Sequence, residues 1–425
     1  MIYRHPLRLH ADPARVVIRP FHLAWQAQDA DPSRARRLVD GVLALDTRTA
    51  RSELGLVFRD FEERHWQTRD VFRSRFEQVE KQVGLKGRKV SDQRKELIGA
   101  YFCHEYSYAA AALMNPSVAL HPDQTGLSDG ALRFVLTLRA VGEGHISSIA
   151  FREGVVTPSR ELELMPQPAF ATAATSRAKE VGGVGLPVTV RRHPETSLSG
   201  TVIFPVTEAQ RNGLEDLRLV RFEHPDGKKE WIGTYTAYSG HGIRSELMRS
   251  ADLETFDLVP LSGAAAEHKG MALFPRQIDG SYVMIGRQDG ENLFLHKSRR
   301  LDHWDSGEIL LKPLYPWELV QIGNCGSPIE LDEGWLLFTH GVGAMRKYSI
   351  GAVLLDKADP SRVLGRTPDP ILSSLDHERE GYVPNVVYSC GAMRIGDDIF
   401  MPYGVADSSV AFAFLPIGDL LAGMR

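Results

Sequence analysis

A chain of 425 residues, 43% of them hydrophobic, can bury a sizeable core in one large domain or in two to three ordinary ones. Its 50 basic and 54 acidic residues nearly balance, which argues against nucleic acid or an anionic membrane as partner and favours a small or neutral polar ligand. The three cysteines, Cys103, Cys325 and Cys390, have neither paired nor zinc-type spacing, so no metal is expected.

"MIYRHPLRLHADPARVVIRPF" puts charges and prolines where a signal peptide needs an apolar run, and no run of about 18 apolar residues follows, so a cytoplasmic location is expected. From Asp31 to about Leu113 the text reads as helix. "PSRARRLVDGVLALD" opens on a proline suited to a first turn. "LVFRDFEERHWQTRDVFRSRFEQVEKQVG" spaces Val57, Phe61, Phe72, Phe76, Val79 and Val83 at helical steps and stops at Gly84. "SDQRKELIGAYFCHEYSYAAAALM" begins on a capping Ser91 and ends before "NP". Residues 1–114 are thus expected to be a mostly helical extension, either covering one rim of the following domain or forming a homo-oligomer contact.

After Asn115 the helical period gives way to short β-branched and aromatic runs between Gly, Asp, Asn and Pro turns. Strand-rich units recur from Leu132, Asp216, Ala272, Ser327 and Asn385, with starts 84, 56, 55 and 58 residues apart. The expected class is therefore all-β, with residues 115–425 forming a five-bladed β-propeller; an irregular β-sandwich is the alternative. Turns at "PDGK" (225–228), "IDGS" (278–281), "LDEG" (331–334) and "IGDD" (395–398) suit hairpins.

A propeller gathers one functional position per unit around its tunnel. Arg139 and His145, Asp216 and Arg218, Lys269 and Arg287, Glu330 and His340, then Glu378, Tyr403 and Asp407 stand near the expected inner ends. Carboxylates mixed with cations suit the hydroxyls of a sugar. Asp216, in "LEDLR", is the best candidate acid for glycoside cleavage; the competing reading is a structural ion pair with Arg218. His340 in "FTHGVG" could meet an anion or a hydroxyl, or simply be hydrogen-bonded. "CHEY" (His104, Glu105) lacks a second histidine four residues on, "KEVGGVGLP" lacks phosphate-cradle spacing, and "GEGHISS" is no nucleophile elbow.

Taken together, "GLEDLRL", "ALFPRQIDGSYVMIGR", "IGNCGSPIELDEGWLLFTHGV", "YSIGAVLLDKADPSRVLGRT", "EREGYVPNVVYSCG" and "PYGVADS" resemble glycoside hydrolase family 130, the β-mannoside phosphorylases and β-1,2-mannosidases, over about residues 115–415. The resemblance implies a five-bladed propeller and an inverting reaction on β-mannosides. It makes Asp216 the single acid, acting through a substrate hydroxyl, Arg139 a basic residue lining the sugar site, and Asp407 a holder of mannose hydroxyls. No organic cofactor is implied, since acid–base displacement at a sugar carbon needs none.

The second reactant decides the reaction. The family's phosphorylases follow "GPPI" with a lysine and a threonine; here Glu330 and Leu331 stand in those places. A carboxylate there would repel phosphate and deprotonate water, so the expectation is an inverting hydrolase of manno-oligosaccharides with Glu330, helped by Glu378, as base. Against it, Lys269, Arg287 and His340 could still make an anion site, which leaves a phosphorylase, with inorganic phosphate as co-substrate, as the alternative. A non-catalytic sugar-binding propeller is a second one.

Overall fold

The computed structural model describes residues 2–21, 32–85, 88–176 and 185–425. The "KEVGGVGLP" run lies, through Val184, outside the described residues, as does Asp31. The chain forms two compact units: Ala14–Ser107 with Ala169–Ala173, and Met1–Pro13 with Tyr108–Pro168 and Ala174–Arg425.

The first unit holds the helices Pro32–Ala44, Thr47–Phe61, Thr68–Val83 and Asp92–Tyr101. Asp46 caps the second by accepting from the Thr49 backbone N–H (2.9 Å), and Gly84, at φ 70°, ends the third in the left-handed turn that a Cβ disfavours. Val39, Leu54, Phe76, Val79, Leu97 and Ile98 form its core. Two expectations fail here. The helix read through residues 56–84 breaks at 62–67, where His65 turns inward and meets Glu105 Oε1 at 2.6 Å. The helix read to Met114 stops at Tyr101, because Cys103–Ser107 pairs antiparallel with Val16–Pro20. Sheet pairing overrides helix propensity in this alanine- and tyrosine-rich stretch.

The second unit is β-rich, and it also contains the first thirteen residues, unlike the expected 1–114 segment, because Tyr3–His10 pairs with Ser409–Pro416. Its strands form four sheets. In the first, Ala112–Leu120, Leu132–Val141 and Ser147–Val156 continue into Gly213–Glu223, Lys229–Tyr238, Ile243–Ser250 and Thr255–Pro260, joined by a parallel contact of Gly213 with Ser147. The second runs Ala272–Leu273, Tyr282–Gly286, Leu293–Ser298, Glu308–Leu311, and the third Gln321–Asn324, Trp335–Val342, Tyr348–Leu355, Val363–Arg366. The last places Val387–Tyr388, Asp398–Val405 and Ser409–Pro416 beside Tyr3–His10. The "IDGS" turn is a tight one, with Asp279 and Gly280 both left-handed (φ 48° and 65°) and Ile278 and Ser281 exchanging backbone hydrogen bonds.

Trp335–Val342 and Asp398–Val405 are buried at every position, so both of their faces are covered. The cores explain how. Val135 and Phe151 pack with Leu217 and Trp231; Phe222 and Ile232 with Leu273 and Met284; Phe274 and Ile285 with Trp335 and Val353; Phe338 and Ile350 with Met401 and Ala411. Phe134 then meets Phe400, ring centroids 5.2 Å apart, so the packing order returns to its start.

Candidate active site

Two strands break register where chemistry gathers. Ala112–Leu120 shifts against its neighbour between Met114 and Ser117, and Gly213–Glu223 shifts between Glu215 and Arg218. Asn115 (φ 49°) and Asp216 (φ 56°) sit inside these bulges in left-handed backbone, which re-aims their side chains out of the strand alternation. They meet: Asn115 Nδ2 donates to Asp216 Oδ1 at 2.5 Å.

Around this pair lies a cavity lined by five cationic side chains, Arg139, Arg218, Lys269, Arg287 and Arg346, against two carboxylates, Asp216 and Asp407. Arg139 donates to Asp216 Oδ1 (3.3 Å), Glu215 Oε1 (2.7 Å) and Ser147 Oγ (2.9 Å). Arg218 makes no ion pair with the Asp216 carboxylate; its guanidinium donates to the Asp216 backbone carbonyl (3.0 Å) and to Tyr388 Oη (2.6 Å). His340 lies within reach of Arg287 Nη1, 3.4 Å from Nε2, and its ring stacks on Tyr348. An arginine can only donate, so Nε2 is the acceptor and the imidazole is neutral.

The electrostatics follow from burial in a cationic field. Burial pushes the Asp216 carboxyl up, but Arg139 and Arg218 and the Asn115 amide outweigh it and hold the group below its ordinary range. Asp407 is pushed up to about 6, by burial first and then by the charge of Asp216, against the pull of Arg139 and Arg346. Burial, with Arg287 and Arg218, holds His340 well below its usual value. One carboxyl is thus ionised while a second beside it titrates near neutrality.

Seven of the expected site residues line this cavity: Asp216, Arg139, Arg218, Lys269, Arg287, His340 and Asp407. Glu330 does not. It lines a different and larger cavity, about 450 Å3 against about 150 Å3, and both its oxygens are taken by Arg276 (2.9 and 2.8 Å), with Lys357 at 3.5 Å. Its assignment as base is therefore withdrawn. Glu378 is buried under an ion pair with Arg8, accepts from the Leu375 backbone N–H (3.1 Å) and receives the Tyr403 hydroxyl (3.3 Å). Glu378 and Tyr403 hold the last sheet and its N-terminal strand together and do not line the Asp216 cavity. His145 is exposed beyond the lining, its ring 6.2 Å from that of Tyr382.

Sequence reading missed Asn115, Arg346, Tyr348 and Tyr388 among the lining residues. Arg346 had a signal. "VGAMRKYS" repeats the outline of "VGEGHISS", and both form the same turn: Gly142 and Gly343 share φ/ψ near −103° and −163°, followed by two left-handed residues, Gly144 and His145 in one, Met345 and Arg346 in the other. Among the described residues no group of three or more His, Cys, Asp or Glu is placed to hold a metal ion.

All four sheets of the β-rich unit, or the loops joining their strands, send residues to this polar, cation-rich cavity, the makeup of a site for a polar ligand. Residues 150–425 match the family model of glycoside hydrolase family 130, described as beta-1,4-mannooligosaccharide phosphorylase, and the chain belongs to this family of mannoside-active enzymes. It is 36% identical to the 1,2-beta-oligomannan phosphorylase of Thermoanaerobacter sp. (strain X514) over 224 residues, which are 50% of this chain and 72% of that protein. It is 32% identical to the beta-1,2-mannobiose phosphorylase of Listeria innocua over 231 residues, 52% of this chain and 62% of that protein. A solved structure reported under the words "The GH130 family of mannoside phosphorylases contains glycoside hydrolases that target beta-1,2 mannosidic linkages in Candida mannan" superimposes with a TM-score of 0.53 at 18% identity, covering 73% of this chain and 86% of that one, a likeness of fold alone.

Proposed function

We propose that the protein is a β-mannoside phosphorylase acting on manno-oligosaccharides, most readily those with β-1,2 linkages, and that its β-rich unit is a five-bladed propeller. The cyclic packing of successive sheets, back to the contact of Phe134 with Phe400, supports the ring. The observation that carries the reaction type is the five-to-two excess of cations over carboxylates around Asp216, with Glu330 and Glu378 both engaged elsewhere. Such a site attracts a phosphate dianion, and Asp407, the one other carboxylate of the lining, is in this reading engaged by the transferred mannose and not by water. The phosphorylases among the relatives point the same way. No helix among the described residues is long and apolar enough to cross a membrane, and the cytoplasm, where inorganic phosphate is at hand, is the proposed location.

In this reading phosphate is held by arginine forks and Lys269, and attacks the anomeric carbon from the face opposite the leaving sugar. The C–O bond to that sugar breaks as the new bond to phosphate forms, and Asp216 supplies the proton the bridging oxygen needs. The cationic field of Arg139 and Arg218 holds Asp216 below its ordinary range. A bound dianion offsets that field, raises the carboxyl toward protonation, and so readies the acid when the nucleophile is present. Asp407 holds hydroxyls of the mannose being transferred.

Incubating the protein with β-1,2-mannobiose, with and without inorganic phosphate, tests the reading. Mannose 1-phosphate formed only with phosphate is the expected result. Free mannose released equally well without it would restore the hydrolase, and binding without turnover in either condition would leave a silent sugar-binding protein.

A further inference from the structure

We propose that Tyr382 and His145 form an aromatic shelf at the rim of the Asp216 cavity and stack the sugar ring on the leaving side of the scissile bond. The proposal rests on the phosphorylase reading, and it names the substrate class as chains whose second ring is gripped there. Tyr382 is 58% exposed, and a single exposed aromatic is ordinary. What sets this one apart is that its backbone is fixed and its ring has a partner.

Gly381 lies so close to Ala406 that a Cβ there would stand 2.5 Å from the Ala406 Cβ. On the other side, the Val383 N–H donates to the Ala406 carbonyl at 2.9 Å, and Arg379 Nε donates to Asn385 Oδ1 at 2.8 Å across the loop. The peptide of Tyr382 is thus pinned from both sides to the residue preceding Asp407. An exposed ring held in advance of binding loses little freedom when a ligand covers it.

The partner comes from another sheet. His145 sits in a left-handed turn of the same conformation as the one that carries Arg346, and that turn closes the hairpin between the Arg139 strand and Ser147–Val156. Its ring stands 6.2 Å from that of Tyr382 with the planes 37° apart, so the two rings are neighbours at a shallow tilt. Aromatic rings receive the C–H face of a pyranose by apolar contact, which needs the ring and not its hydroxyl. Inside the cavity the cations and Asp407 serve phosphate and the transferred mannose, so the leaving ring lies toward the open rim where the shelf stands.

The test uses β-1,2-mannotriose and the whole protein. Titration calorimetry without phosphate reads sugar binding with no turnover, and steady-state rates at saturating phosphate read KM and kcat separately. Tyr382→Ala is expected to weaken mannotriose binding and raise its KM about 5–10-fold, with kcat and the KM for phosphate within about 2-fold, while Tyr382→Phe stays within about 2-fold throughout. His145→Ala should show a smaller loss of the same kind. Unchanged mannotriose affinity in Tyr382→Ala overturns the shelf, and so does an equal loss in Tyr382→Phe, which would make the hydroxyl the contact. If the wild type binds mannotriose but forms no mannose 1-phosphate, the phosphorylase reading falls, and the titration still decides the shelf.

Discussion

Two carboxylates, Asp216 and Glu330, sit in two cavities of the same β-rich unit and show what makes an acidic side chain available for chemistry. Asp216 has one charged donor on its carboxylate, Arg139 at 3.3 Å, plus the Asn115 amide, while the nearby Arg218 spends its hydrogen bonds on a carbonyl and a phenol. Glu330 has both oxygens gripped by one guanidinium and a lysine beside them. The hydrogen bonds from Arg276 outweigh burial and hold it below its ordinary value, which makes it a poor base. Cation count and unspent hydrogen-bonding capacity, more than volume, favour the Asp216 cavity as the seat of the proposed reaction.

The contrast can be broken most sharply at Asp216. Asp216→Asn removes the only proton donor assigned to the leaving oxygen, and phosphate-dependent release of mannose 1-phosphate should fall at least about 10³-fold; a variant within about 10-fold of wild type would remove Asp216 from the mechanism. Asp407 sharpens the same contrast through pH. Burial and the charge of Asp216 push its carboxyl up to about 6 in the folded protein, above the unfolded value, so the folded state binds more protons between about pH 4 and 6 and stability falls as pH rises through that window. Asp407→Asn lifts that penalty. It should stabilise the protein by about 1–3 kcal/mol at pH 7.5 and by almost nothing at pH 4, measured by denaturant unfolding at both; equal shifts at the two pH values would refute the assignment. The smallest effect belongs to the other cavity: Glu330→Gln should leave kcat and both KM values within about 3-fold and cost about 0–1 kcal/mol, because the pair with Arg276 is partly exposed. A loss of 100-fold in kcat would reinstate Glu330 as base.

Much of this was legible in the sequence. Stops such as Gly84 act within a few residues, and the recurrence of strands with tight turns such as "IDGS" is local as well, whereas Ser91, read as a cap, takes the N-cap position without a side-chain hydrogen bond. Asp216 could be singled out because "GLEDLRL" carries its own signature. What failed was long-range. Nothing between Phe102 and Met114 tells that Cys103–Ser107 will find Val16–Pro20, 87 residues away, or that Ala112–Leu120 will pair with Leu132–Val141. Glu330 stood where a phosphate-binding lysine was expected, yet the hairpin of Ile329–Glu330 with Trp335–Val342 sends it to Arg276 in another cavity. A strand's residue pattern states which side chains share a face, not which cavity that face meets. Arg346 shows the reverse case, a turn whose likeness to the one at His145 was readable once the backbone drew attention to it.

The pairing of Tyr3–His10 along Ser409–Pro416 has a consequence for handling the protein. Removing the first ten residues would strip a whole row of hydrogen bonds from a strand whose middle positions are all buried, and would unclasp Arg8 from Glu378. A long apolar edge bared in this way is a template for self-association. Short deletions or bulky fusions at this end should therefore show themselves first as turbidity and inclusion bodies, well before any change at the sugar.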